Sequence, residues 1–261
     1  MHGGSNFLAH ILTRALSLQD VEGAATQALF VTLDAQVDAS VYALATASTP
    51  EAFTAAQQQY AQVFSTFGDD GIQLDAEMHS QADVFGFADM MLHGRGDVVA
   101  AAHADFAVFN SQLAGAADDF GALGVDIASL GTIASQSDLL GVCVNLAGDC
   151  AALNSDFSAL SADVTPLAND LNALGRRWGD VGAALQPLGA QYAAIATDFA
   201  NMFTLYTGGS TDSTGAAIDF GGVFKSLDSD LIALDNSMHG VAAPMANAIM
   251  GSMFGGERHG G

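Results

Sequence analysis

The chain has 261 residues, half of them hydrophobic, and a formal net charge of -23 that arises from a scarcity of bases: six Lys and Arg against 29 Asp and Glu. Lys225 is the only lysine. So few bases exclude a phosphate-binding surface and a polybasic membrane patch, and so they exclude nucleic acid as a partner. No run of roughly 18 strongly apolar residues occurs, so no transmembrane span is predicted.

In chain order, residues 1–96 read as an N-terminal helical region. Residues 1–6 lack the basic start of a secretory signal. This predicts a cytoplasmic protein, with secretion without a cleaved signal as the alternative. Residues 5–46 carry helical spacing (Phe30, Leu33, Val37, Val41, Leu44) with less regularity than residues 97–207. Ser48-Thr-Pro-Glu51 is a helix start, with capping residues, proline in the first turn and an acid behind it. Gly68-Asp-Asp-Gly71 reads as a break in that helix, and Gly94-Arg-Gly96 as a turn.

Residues 97–207 carry the strongest pattern. Leu153, Phe157, Leu160, Val164, Leu167, Leu171, Leu174, Trp178, Val181, Leu185, Leu188, Tyr192, Ile195, Phe199, Met202 and Tyr206 alternate steps of four and three without a slip. That is an a/d heptad seam. Thr165-Pro166 and Pro187 interrupt it, but the phase is kept, which predicts one long kinked helix, or two helices end to end, rather than a reversal. An upstream seam runs from Phe106 to Ala134.

The two seams share flanks. Their e positions are mostly small (Ala117, Gly124, Gly131; Ser161, Ala168, Gly175, Gly182, Gly189), and many g positions are Asp (105, 119, 126; 156, 163, 170, 198). Glycine inside a helix costs about 1 kcal/mol relative to alanine, so a glycine stripe asks for a packing reason. In antiparallel neighbours e meets e and g meets g. The expectation is that 97–134 and 140–207 pack antiparallel through their small flanks, with the Asp flanks open to water. Phe157, Trp178, Gly175, Gly182, Gly189, Tyr192 and Phe199 are the expected packing seam.

Residues 208–236 read as a loop and a short helix, and 237–261 as a flexible Gly/Met-rich tail. Cys143 and Cys150 fall at a positions, which suits small buried residues, with a disulfide as the alternative. No HExxH or CxxC occurs, and Glu77, His79, Asp83 and His93 are the nearest approach to a ligand set. No phosphate loop or nucleophile arrangement can be assembled. The expectation is no catalytic residue, no metal and no cofactor.

Ser48-Thr-Pro-Glu-Ala-Phe53, with Gln57-Gln-Gln-Tyr60 and Gln62, resembles the phasins, across residues of about 30–67. The resemblance implies a non-enzymatic coat on polyhydroxyalkanoate granules. The residues by themselves predict an all-α, elongated antiparallel bundle of coiled-coil-like long helices. As function they point to a scaffold or surface coat that self-associates or lies on a neutral hydrophobic or lipid surface, which the resemblance implies is a storage granule. The alternatives are an exported acidic protein that self-assembles or inserts into membranes, and a homo-oligomeric coiled-coil spacer.

Repulsion among so many carboxylates is screened by salt over about 10 Å at 0.1 M and about 3 Å at 1 M. The thermal unfolding midpoint is therefore expected to rise as NaCl is added. A scanning fluorimetry series over that range checks the sign.

Overall fold

The computed structural model describes residues 2–18, 43–44, 46–94, 96–209 and 220–254, and every element among them is α-helical. The helices are α1 (His2–Leu16), α2 (Pro50–Met90), α3 (Asp97–Ser129), α4 (Gln136–Ala173), α5 (Arg176–Tyr206) and α6 (Phe220–Phe254). The all-α expectation holds. None of the described helices is long and apolar enough to cross a membrane. The irregular pattern at Phe30–Val41 lies outside the described residues.

Helices α2 to α6 run up and down, each packed against the next, and short turns close the reversals from α2 through α5. Thr49 caps α2, its Oγ1 accepting from the Ala52 amide at 3.2 Å, with Pro50 in the first turn. Ser135 caps α4 in the same way through the Asp138 amide. The a/d residues of α3, α4 and α5 form one continuous interior in which Phe106, Phe109, Leu153, Phe157, Leu185, Tyr192 and Phe199 are fully buried.

Three expectations are corrected. The heptad seam is not one helix. It folds into the α4–α5 hairpin at Leu174–Gly175, away from both prolines. Gly175 has φ +98°, a left-handed conformation that glycine adopts without penalty, and a Cβ there would meet nothing within 4 Å. Gly175 is thus an exposed pivot and not a packing contact. Pro166 and Pro187 stay inside helices because both are exposed, as are Ala162 and Ala183, whose carbonyls lose their amide donor and face water instead.

Second, Gly68 and Gly71 do not break α2. They are the point where α3 crosses it: a Cβ on Gly124 would lie 2.6 Å from the Gly68 carbonyl oxygen, and one on Gly71 would lie 2.8 Å from Gly124 Cα. Third, residues 237–254 are no loose tail. They continue α6, and Met238, Val241, Met245 and Ile249 are fully buried against the bundle. Methionine and alanine at helical spacing supply an adaptable apolar face that composition alone disguises as low complexity.

The small flank of the hairpin is folded about Gly175. Ala168 meets Gly182 and Ser161 meets Gly189, with Ser161 Oγ donating to the Gly189 carbonyl at 2.7 Å. A Cβ on Gly182 would lie 2.5 Å from the Ala168 carbonyl oxygen, a backbone atom that cannot step aside. Gly182→Ala is expected to destabilise the protein by about 1–3 kcal/mol, because overpacking exceeds the helix-propensity gain. Gly148, in α4 with open space at its Cβ, is the counterpart, and Gly148→Ala should stabilise by about 1 kcal/mol. Urea unfolding of both variants separates close approach from propensity.

Candidate functional site

Four of the seven predicted seam residues belong to one aromatic column. Phe157 of α4 lies 6.0 Å from Phe199 and 5.8 Å from Tyr192, both of α5. Phe120 of α3 packs edge-on against Phe157 at 5.8 Å and Phe199 at 5.5 Å. Phe109 extends the stack to Tyr192, and Phe85 of α2 joins through Phe109. Trp178 stands at the hairpin end of this column, edge-on to Phe106. Gly182 and Gly189 line the α4–α5 contact, and Gly175 is the turn. Burial pushes the Tyr192 phenol well above its ordinary pKa, and its hydroxyl has no hydrogen-bond partner among the described residues.

The Asp flanks do not open to water. They face each other across α3 and α4, in one register with heptad spacing: Asp105 opposite Asp170, Asp119 opposite Asp156, Asp126 opposite Asp149. Gln112 holds the intervening g position of α3, in register with Asp163. All seven carboxylates of this seam are half-buried. Gly115 makes room for one of them, since a Cβ there would stand 2.9 Å from Asp156 Oδ2. Burial, with the facing Asp126 behind it, raises Asp149 to about 7. Burial, with Asp156 opposite, raises Asp119 to about 6. Asp105 and Asp156 are raised chiefly by burial. The α5–α6 contact repeats the motif once: Asp198, buried at 4% exposure, is raised to about 7 by burial and by Asp230 facing it.

Both cysteines are free thiols near the α4 end of this seam, and burial pushes Cys150 up to about 12, far from a reactive thiolate. His79 sits on the outer surface between Asp75, 2.8 Å away on α2, and Asp118, 3.6 Å away on α3. Burial opposes its charge, but hydrogen bonds and the two carboxylates outweigh that and leave its pKa raised. Glu77, Asp83 and His93, which with His79 are the nearest approach to a ligand set in the sequence, are not part of this cluster. Asp75, His79 and Asp118 are the only group of three such side chains among the described residues close enough to share a metal ion. Asp118 and His79 are well exposed and the ring is already paired on both sides, so a surface ion pair accounts for the cluster.

A polar clamp on α1 has no counterpart in the heptad pattern. The last carbonyls of a helix lack intrahelical donors. Here Ser80 Oγ donates to the Ala15 carbonyl and Gln81 Nε2 to the Leu16 carbonyl, both from α2. From α6, Asp235 Oδ1 accepts from the Leu18 amide at 2.6 Å. Leu16, Leu18, Gln81 and Asp235 are essentially unexposed. A Gln and an Asp inside apolar helical stretches were the signal available in the sequence.

Two open surface grooves are lined mainly by alanines, hydroxyl side chains and amides, without a titratable group. A narrow slot of about 60 Å³ between α2, α3 and α6 is walled by Phe67, Leu74, Phe120, Phe224 and Leu231.

The arrangement defines an all-α antiparallel bundle with an aromatic interior and an acid-lined seam. Set against protein-family models, curated proteins and solved structures, the chain matches none.

Removing the clamp leaves buried donors unsatisfied, which costs about 1–3 kcal/mol per group. Asp235→Ala is expected to destabilise the protein by about that amount and to speed proteolysis within residues 2–18. A surface control, Asp180→Ala, should leave both unchanged. Urea unfolding and limited trypsin digestion at Arg14 measure them.

Proposed function

We propose that this chain is a non-enzymatic helical scaffold that coats an apolar surface by opening its bundle, in the manner of a phasin on a storage granule. The observation that carries the reading is the pairing of an aromatic interior with a like-charged seam. Phe106, Phe109, Phe120, Phe157, Tyr192, Phe199 and Trp178 are stacked behind α3 and α4, whose facing flanks carry carboxylates where other bundles place ion pairs.

Burying an aromatic or large aliphatic side chain is worth roughly 1.5–3 kcal/mol, which is lost if the bundle opens into water. On an apolar surface the same rings stay dehydrated, so the cost of opening largely disappears while the seam repulsion is relieved. The helices would lie flat with rings inward and Asp outward, and the charge would keep coated particles apart. The helix start at residues 48–53 and the Gln-bearing helix behind it add the resemblance to this physical account.

Incubating the purified protein with polyhydroxyalkanoate granules and washing in 1 M NaCl tests it. Retention on the granules through the wash is expected. Release by salt, or no co-sedimentation, overturns the coat.

A further inference from the structure

We propose that the α3–α4 seam is a proton-operated latch: each facing Asp pair holds the two helices together while it shares a proton, and drives them apart once both carboxyls are ionised.

The geometry is that of an interface, repeated along two helices. Asp105, Asp119 and Asp126 of α3 face Asp170, Asp156 and Asp149 of α4, and on each helix the spacing is two heptads and then one. A carboxylate is an acceptor only, so two of them in contact need a proton between them to form a hydrogen bond. Oδ2 of Asp149 and Oδ2 of Asp163 are sealed from solvent and lack any donor among the described residues. Glycine at 115 lets Asp156 lie down against α3 and not extend into water.

Among the described residues, the other groups facing the seam supply no cation. Asp163 adds to the field at Asp105, and Asp118 to that at Asp119. Cys150 and, from α5, Tyr206 lie beside Asp149, both neutral. Nearby bases are engaged elsewhere: His103 with Asp89 on α2, His79 with Asp75 and Asp118 on the outer face of α2 and α3, Arg177 on the Gly251 carbonyl of α6.

Linkage sets the sign. Asp105, Asp119, Asp149 and Asp156 hold protons to higher pH in the folded chain than in the unfolded one, so the folded state binds more protons between about pH 4 and pH 7. Stability then rises as pH falls from 8 to 5.5, and is lost as pH climbs through about 6 and about 7, where Asp119 and Asp149 give up their protons. Raised His79 works in the same direction, since its pairing strengthens on protonation. Three of the facing pairs lie between α3 and α4 and one, Asp198 with Asp230, between α5 and α6, so the loss is local: the α3–α4 seam loosens before the small-residue contacts of α2–α3 and α4–α5. The inference names the trigger for the opening that the coat reading requires, and rests on that reading only for its use.

The test uses the full chain without lipid. Asn keeps the shape of Asp and adds a donor, so Asp119→Asn/Asp149→Asn is a latch held shut. At pH 7.5, hydrogen exchange of residues 105–126 and 149–170 is expected to be about tenfold slower in the double variant than in the natural chain, one pKa unit being a tenfold change in equilibrium. Residues 238–249 of α6 should be unchanged. The natural chain should melt higher at pH 5.5 than at pH 8, and the double variant should show a clearly smaller difference, the remainder coming from Asp198, Asp105, Asp156 and His79. Asp180→Asn, on the exposed face of α5, should behave as the natural chain. Equal slowing in every helix, a midpoint that falls on acidification, or a double variant indistinguishable from Asp180→Asn each overturns the latch. Failure here leaves granule retention untouched, and failure of granule retention leaves these exchange rates untouched, so the two ideas fall separately.

Discussion

The structure depends on one constraint of antiparallel helix packing: in an up-and-down bundle a helix shows one flank of its apolar seam to the preceding neighbour and the other flank to the next one. In this chain the two flanks differ in kind. The small e flank of α3 lies on α2, where Gly124 meets Gly68 and Gly71, while its acidic g flank lies on α4. Helix α4 then turns its own small flank to α5, where Ala168 meets Gly182. The g positions of α5 come next, and they meet α6: Arg177 donates to the Gly251 carbonyl, Gln191 to Ser237, and Asp198 faces Asp230. Close backbone contact and polar or charged contact therefore alternate from one interface to the next.

That alternation makes stability uneven from one interface to another. At Gly68, Gly71 and Gly124 between α2 and α3, and at Gly182 between α4 and α5, backbones approach so closely that even a methyl group is excluded, which ties those pairs tightly. At α3–α4 the same period brings like charges together at half-buried positions, where solvent screens them incompletely. The aromatic stack bridges this weak line. Phe120 and Phe109 of α3 reach past it to Phe157, Phe199 and Tyr192 of the hairpin. Cohesion across the seam is apolar and repulsion is electrostatic, and local opening is expected where those two nearly balance.

The heptad pattern made the a/d interior and the character of both flanks legible. It could not reveal the reversal. Gly175 is the central member of the small flank, so Ala168 and Gly182 stand symmetrically about it, and folding the helix there keeps every seam residue inward. A continuous helix and a hairpin folded at a heptad position thus share one sequence period. The prolines, the more visible breakers, misled because both lie on the water side. The partner of the acidic flank was hidden for the same reason: the pattern says which residues share a face, but the order of neighbours decides what that face meets. The clamp of Ser80, Gln81 and Asp235 on α1 joins segments up to 217 residues apart and has no local periodicity to announce it.

The choice of aspartate at the flank is itself informative. Glutamate has the better helix propensity, and a longer side chain could carry its charge out to water over the rim of the interface. Aspartate, one methylene shorter, holds its carboxyl close to the backbone, and at Gly115 the opposing helix is carved to receive it. The chain has only six Lys and Arg, and among the described residues none is paired with these seam carboxyls. Charge that can neither swing away nor find a counter-ion has one remaining route to neutrality, which is to keep a proton. A flank of short acids facing a flank of short acids therefore converts the surrounding proton concentration into the tightness of a helix pair. The same residues, if replaced by Glu and Lys in alternation, would give an ordinary bundle with no such dependence.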